Sequence, residues 1–267
     1  MERYPSVHSF IASDALDGPA ICARPHKAQA AARWFLDRFP GDVLYAVKVN
    51  PAPWLIDTLY DAGVRWFDAA SLTEVRLVAE RCPDANIAFL HPVKSRSAIR
   101  TAYYEYGVRI FGLDSHAEIQ KIIEETGYAK DLELIVRMAV SNKGAALPLG
   151  AKFGVGQRAM PSLLRAARAH ADELGVSFHV GSQCMDPAAY RNAMAQASAC
   201  IVKAGVTVDI VDVGGGFPST YPGLEPPPLD VYIAAIADAF EDMMVLENAD
   251  LWCEPGRALA AESGSLL

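Results

Sequence analysis

The sequence predicts an α/β fold, a TIM (β/α)8 barrel, on three observations. Short apolar runs alternate with longer amphipathic segments along the chain, eight strand-like runs are counted between residues 42 and 256, and a helix-like segment separates each consecutive pair. The most apolar run, ELIVRMAV at 133–140, lacks the polar–apolar alternation of a sandwich strand, as expected of a parallel sheet covered by helices. A doubly wound sheet is the alternative fold, because strand order cannot be read from hydrophobicity.

An opening helix is expected from Lys27 to Phe39, before DVLYAVKV (42–49), whose β-branched and aromatic residues mark the first strand. PAPWLIDTLYDAG (51–63) is a proline-started helix closed by Gly63. RWFDAA (65–70) is the second strand. SLTEVRLVAERC (71–82) follows as a helix with Ser71 and Glu74 at capping-box spacing. NIAFLHP (86–92), helical SAIRTAYYEYG (97–107), VRIFGLD (108–114) and helical HAEIQKIIEETG (116–127) continue the series to the fifth strand, DLELIVRMAV (131–140).

A long connection, SNKGAALPLGAKFGVG (141–156), leads to the helical PSLLRAARAHADELG (161–175) and the sixth strand, VSFHVGS (176–182). A helix from Pro187 to Ala204, VTVDIVDVGGG (206–216), a helix from Leu229 to Met243 and DLWCEPG (250–256) complete eight strands. STYPGLEPPP (219–228), with four prolines, is expected as an irregular loop at the C-terminal face of the sheet. No internal repeat is read. The expected division is a lead-in over 1–26, a barrel over 27–258 and the start of another domain over 259–267.

Composition bounds the function. The 267 residues are 52% hydrophobic and 21% charged, which suits a compact globular chain, and the formal net charge is -8. No basic tract is present, so nucleic acid is not an expected partner. Five cysteines, Cys22, Cys82, Cys184, Cys200 and Cys253, form no CxxC or zinc-ligand pattern. That fits a reducing, cytoplasmic compartment. No secretory leader is recognised at the start, and no run approaches the ~20 apolar residues of a membrane span.

Candidate chemistry lies at strand ends, which on a barrel face the active-site mouth. Lys48 closes an apolar strand; burial that depresses its pKa would make it a nucleophile toward a carbonyl, whereas the plain alternative is an outward or ion-paired lysine. Asp68 ends the second strand and can hold that lysine or a cofactor group. Glu74 reads as the capping partner of Ser71. His91, before Pro92, is a mouth residue or a hydrogen-bonded structural histidine. Arg137, inside the most apolar strand, needs an anion, in a structural ion pair or a cofactor. Lys152 reads as exposed, and Cys184 has no base partner that would make it a nucleophile.

His179 combines a ring at a strand end with Gly181 and Ser182, able to stack on a planar cofactor and to offer N–H and hydroxyl groups to a phosphate; a structural histidine is the alternative. Gly214, Gly215 and Gly216 expose backbone N–H groups after the seventh strand, in neither a GxGxxG nor a GK[ST] pattern, so a phosphate loop and a tight turn both stay open. Gly256 and Arg257 follow the eighth strand, and barrel phosphate sites commonly use these two loops. Glu254 at the same mouth can accept a charged N–H from a heterocycle. An amine for an imine plus an anion cradle is the combination that pyridoxal 5'-phosphate (PLP) requires.

YAVKVN, FDAAS with LTE, KFGVG, FHVGSQC, DVGGGFP and CEPGR, in that order from Tyr45 to Arg257, resemble the fold-type III pyridoxal-phosphate decarboxylases. That family includes ornithine, lysine, diaminopimelate and arginine decarboxylases. The resemblance implies a barrel of alanine-racemase-like type, with Lys48 as Schiff-base lysine and His179 as stacking ring, both catalytic, and Glu254 opposite the pyridine nitrogen. It implies a phosphate set of Ser182, Gly214, Gly215, Gly216, Gly256 and Arg257, with Asp68 and Arg137 lining the cofactor pocket. No metal is implied.

The compact 141–156 connection looks more like ornithine or lysine decarboxylases than diaminopimelate decarboxylases, so L-ornithine, converted to putrescine and CO2 in polyamine biosynthesis, is the expected substrate. Lysine, diaminopimelate and a catalytically inactive regulatory homologue are the alternatives. Family members are homodimers whose C-terminal β-domain completes the site. No counterpart of that domain is read here, so cofactor binding is expected to exceed turnover.

Overall fold

The computed structural model describes residues 3–13, 17–143, 145–147, 152–243, 245 and 248–267. Eight parallel strands close a barrel: β1 (Asp42–Ala46), β2 (Trp66–Ala69), β3 (Asn86–Phe89), β4 (Ile110–Leu113), β5 (Glu133–Met138), β6 (Glu173–Phe178), β7 (Ile210–Asp212) and β8 (Asp250–Cys253). Each pairs with the next in sequence, and β8 returns to β1 through Trp252 opposite Asp42 and Cys253 opposite Val43. A helix precedes β1 and one connects each later pair.

Local chemistry sets the helix ends. Ser71, Ser95 and Ser115 each accept a hydrogen bond from the backbone N–H three residues on, capping Leu72–Arg81, Arg96–Tyr106 and His116–Glu125. Pro53 starts Pro53–Asp61, and Gly107 ends Arg96–Tyr106 at φ +69°. Glu74 Oε2 accepts from Ala70 N (2.7 Å), one residue before the cap, instead of closing the box on Ser71.

Period-two alternation along the strands sorts their side chains into two cores. One face packs beneath the helices. The other fills the barrel with Leu44, Ala88, Leu90, Ile110, Ile135, Ile210 and Trp252, against which Trp66 packs. Gly175 leaves the space that Ile135 occupies, since a Cβ there would overlap Ile135 Cδ1. This apolar layer plugs the barrel, so ionisable groups at its two ends belong to separate environments.

Several elements depart from expectation. The helix before β6 stops at Arg168, and Glu173–Gly175, expected as helix, begin β6, because Leu174 and Gly175 pair with Leu134 and Ile135. Strand pairing overrides local helix propensity there. Two small antiparallel pairs carried no periodic signal: Ile21–Ala23 with Gly264–Leu266, and Ala145–Leu147 with Ser182–Cys184. Ser182 therefore stands on this small separate strand and not at the end of β6, which stops at Phe178.

A repeat is also present. Gly63, Val64, Arg65, Phe67, Ser71 and Glu74 recur 44 residues later as Gly107, Val108, Arg109, Phe111, Ser115 and Glu118. The structure reproduces it: Arg65 Nη1 donates to Tyr60 O and Val64 O and lies 4.2 Å from the Tyr60 ring centroid, while Arg109 Nη1 donates to Tyr103 O and Val108 O, 4.1 Å from the Tyr103 ring. Each guanidinium pairs with an acid before the next strand, Asp84 and Asp131 respectively. The match is hidden because the apolar positions between differ.

Candidate active site

The C-terminal mouth of the barrel holds a cavity of about 500 Å³. Its wall includes Lys48, His179, Ser182, Gly215, Gly216, Glu254, Gly256 and Arg257. Asp68, Arg137 and Gly214 stand behind that wall. His91 lies outside it, its Nδ1 in contact with Val93 and its ring edge-on to Phe153 at 5.0 Å. Lys152 is exposed, and the Cys184 thiol donates to Asp186 O while burial raises its pKa.

Lys48 sits on the single 3-10 turn Val47–Val49 directly after β1, with its ammonium against Asp68 and 3.7 Å from Glu254. Desolvation by the surrounding protein opposes its charge even though the side chain is 43% exposed, but Asp68 and Glu254 outweigh that and push its pKa above the ordinary lysine value. This corrects the expected depression: the amine is charged at rest and needs a proton acceptor before it can attack a carbonyl. Asp68 is that neighbour. Its own carboxyl, pushed up to about 6 mainly by burial, is 1% exposed.

Glu254 and Asp212 form a second acidic pair behind the amine. Burial and the Asp212 charge push Glu254 up to about 8, and burial pushes Asp212 up to about 6. Asp212 Oδ1 accepts from Gly214 N (2.8 Å), while Oδ2 is buried with no N–H or hydroxyl donor among the described residues, and the Glu254 carboxyl lies within hydrogen-bonding reach of Asp212. A proton on Glu254 is the donor that oxygen lacks. Asp68, Asp212 and Glu254 thus outnumber their cations, Lys48 and Arg137.

His179, just past β6, accepts from Gly181 N at Nδ1 (2.9 Å), and burial together with Arg137 and Lys48 lowers its pKa to about 3. The imidazole is neutral and offers an uncharged face. Arg137 lies over the Phe153 ring at 5.6 Å and makes no ion pair within 4 Å among the described residues. Its charge reaches Asp212 and Glu254 only at longer range, so of the two expected partners the structural ion pair is not formed among the described residues.

At the opposite end, Gly214 (φ +68°) and Gly216 (φ +106°) turn the chain after β7; a Cβ on Gly216 would sit 2.6 Å from Gly181 O. Arg257 donates from Nε and Nη2 to Ser182 Oγ (3.4 and 3.1 Å) and from Nη1 to the Tyr221 hydroxyl (3.0 Å). Sequence reasoning missed Asp212, hidden inside the glycine motif, and Tyr221, lost in the proline-rich loop. Among the described residues no cluster fit for a metal is found.

An amine at one side of a cavity, a glycine and arginine cradle at the other, and a neutral ring near both define a parallel-barrel protein built to anchor a phosphorylated carbonyl compound. Residues 25–261 match the family described as pyridoxal-dependent decarboxylase, pyridoxal binding domain, and the chain belongs to that family. It is 32% identical over 232 residues to a lysine/ornithine decarboxylase of Selenomonas ruminantium, covering 84% of this chain and 57% of that protein. It is 37% identical over 229 residues to an ornithine decarboxylase of Caenorhabditis elegans, covering 84% and 52%.

A crystal structure of an SrLDC mutant in complex with PLP superposes with a TM-score of 0.87 at 27% identity, over 99% of this chain and 69% of that one. A second structure, of lysine decarboxylase from Selenomonas ruminantium, superposes with a TM-score of 0.85 at 28% identity, over 100% of this chain and 70% of that one. The chain spans about half the length of the curated relatives it matches. PLP is the cofactor of this family. The residues present fit it: the glycine turn leaves no room for side chains, and Arg257 and Lys48 line the same cavity.

Proposed function

We propose that this chain is the cofactor-binding part of a PLP-dependent decarboxylase that converts L-ornithine to putrescine and CO2 in polyamine biosynthesis. The observation that carries the reading is the convergence of Lys48 and the Gly215, Gly216, Gly256 and Arg257 cradle on one cavity. The compact 141–156 connection and the ornithine and lysine decarboxylases among the relatives support a basic amino acid of this size.

Bound in the cavity, PLP supplies an electron sink for the pair left when the carboxylate departs. Lys48 Nζ would hold its aldehyde end once the ammonium has lost its proton, and Asp68, in contact with that ammonium, is the carboxylate placed to take it. His179 offers a neutral face to the ring and adds no charge to compete with the ring nitrogen. Glu254, backed by Asp212, would accept the N–H of that nitrogen, while Arg257, Ser182 and the glycine amides would hold the phosphate. Arg137, which makes no ion pair among the described residues, adds positive potential near the carboxyl groups. The whole protein is read as a cytoplasmic homodimer; the five thiols are all free, which suits a reducing compartment. No helix among the described residues is long and apolar enough to cross a membrane.

The test is CO2 release from carboxyl-labelled ornithine, lysine and meso-diaminopimelate, using the protein at its full natural length. Ornithine turning over fastest is the expected result; a faster alternative would overturn the substrate assignment, and no release from any of them would overturn the activity.

A further inference from the structure

The 219–228 loop contains a small rigid device aimed at the phosphate end of the cavity. Tyr221 N donates to Leu224 O (3.1 Å) and Leu224 N donates back to Tyr221 O (2.9 Å), closing a two-residue turn over Pro222 and Gly223. Gly223 takes φ +77°, which a proline–glycine pair supplies without strain. The base of the loop is clamped as well. Gln183, 3% exposed and itself held at φ +55°, donates from its amide to Ser219 O and accepts from Ser219 N (3.0 Å). A non-glycine residue in that region marks a place where surrounding structure enforces an unfavourable backbone.

The clamped loop delivers one polar group, the Tyr221 hydroxyl, to the cavity wall beside Arg257, Ser182 and Gly216. There it accepts from Arg257 Nη1 (3.0 Å), and the guanidinium carbon lies 5.8 Å from its ring centroid. A phenol accepting from a guanidinium keeps its own proton to give, and the nearby cation makes it a stronger donor. Ser182 Oγ stands in the same relation to Nε and Nη2. Arg257 therefore presents two polarised hydroxyls, from two separate parts of the chain, to one point.

We propose that Tyr221 is a phosphate-binding residue of this site, donating its phenolic proton to a phosphate oxygen of PLP alongside Ser182 and Arg257. The proposal rests on the reading that the chain binds PLP. It gives the proline-rich loop a function: the Tyr221–Leu224 turn is a fixed bracket, and Gln183 is a positioning residue that sets its base.

The experiment compares Tyr221→Phe with the wild-type chain for binding of PLP and of pyridoxal, which shares the ring and aldehyde but lacks the phosphate. Affinities are read by absorbance titration, with far-UV circular dichroism as the folding check. Loss of one hydrogen bond to a charged acceptor weakens PLP roughly 10-fold and leaves pyridoxal within about 2-fold. An unchanged PLP affinity, or equal weakening of both ligands, would overturn the assignment of Tyr221 while leaving the PLP reading in place. Wild-type protein that binds PLP no more tightly than pyridoxal would instead remove the phosphate subsite, and both readings with it.

Discussion

At the N-terminal end of the barrel, Asp42, Glu133, Glu173 and Asp250 are brought near one another, with Asp172 and Asp209 alongside; at the C-terminal end, Asp68, Asp212 and Glu254 meet Lys48 and Arg137. Both ends hold carboxyls with raised pKa values. The causes differ. Below the apolar plug, burial and mutual repulsion act with Arg168, already paired to Asp209, as the nearby cation. Above it, the acids hold a lysine charged and share a proton between Glu254 and Asp212. Acids at the lower end are a burden on stability at high pH, whereas those at the upper end are arranged to receive a cationic group.

The largest effect that sharpens this contrast is expected at the mouth. Arg257→Ala removes the group that organises Ser182 and Tyr221, and PLP affinity should fall about 10- to 100-fold by titration, with little change in Tm. An unchanged affinity would place the phosphate elsewhere. Asp212→Asn should come next. Glu254 faces Asp212, Asp68, Lys48 and Arg137, and losing the Asp212 charge should move its ionisation from about 8 to lower pH. The pH midpoint of PLP affinity reads this, and an unmoved midpoint would contradict the shared proton.

Glu133→Gln probes the lower end. Burial and Glu173 push Glu133 up to about 7 from an ordinary 4.5, so its protonated form is favoured by folding. The stability it lends is full below pH 4.5 and is lost as pH rises through about 7. The Gln variant should therefore melt roughly 2–4 °C higher than wild type at pH 8 and equally at pH 4, with PLP affinity unaltered. Altered PLP affinity would mean that the plug does not separate the ends. The smallest effect is expected for Arg65→Ala, an exposed clamp outside the barrel, which should lower Tm by about 2 °C or less and leave PLP binding alone.

The barrel strands and the helices between them are legible because their apolar periodicity is long and their caps are chemical: serines at starts, Gly63 and Gly107 at ends. Three-residue strands such as Ser182–Cys184 carry no period and exist only through a partner far away in sequence. Glu173–Gly175 read as helix because local propensity favours it, and pairing with β5 decides otherwise. At the site, Lys48, His179 and Glu254 are legible as ionisable groups interrupting apolar runs. The sign of the Lys48 shift is not, since it depends on Asp68 and Glu254 meeting it across the barrel. Tyr221 is invisible for the opposite reason: nothing in STYPGLEPPP marks one residue until the turn and the Gln183 clamp are seen.

In the function proposed above, one cavity binds PLP through an amine on one side and a phosphate cradle on the other. The most direct measurement is the visible absorption spectrum of the folded chain titrated with PLP, taken in parallel on Lys48→Ala, with far-UV circular dichroism confirming that the barrel is intact. A saturable, red-shifted band in the wild type that is absent from the variant is the predicted result. The same band in both proteins would show that another amine reacts and would contradict the account.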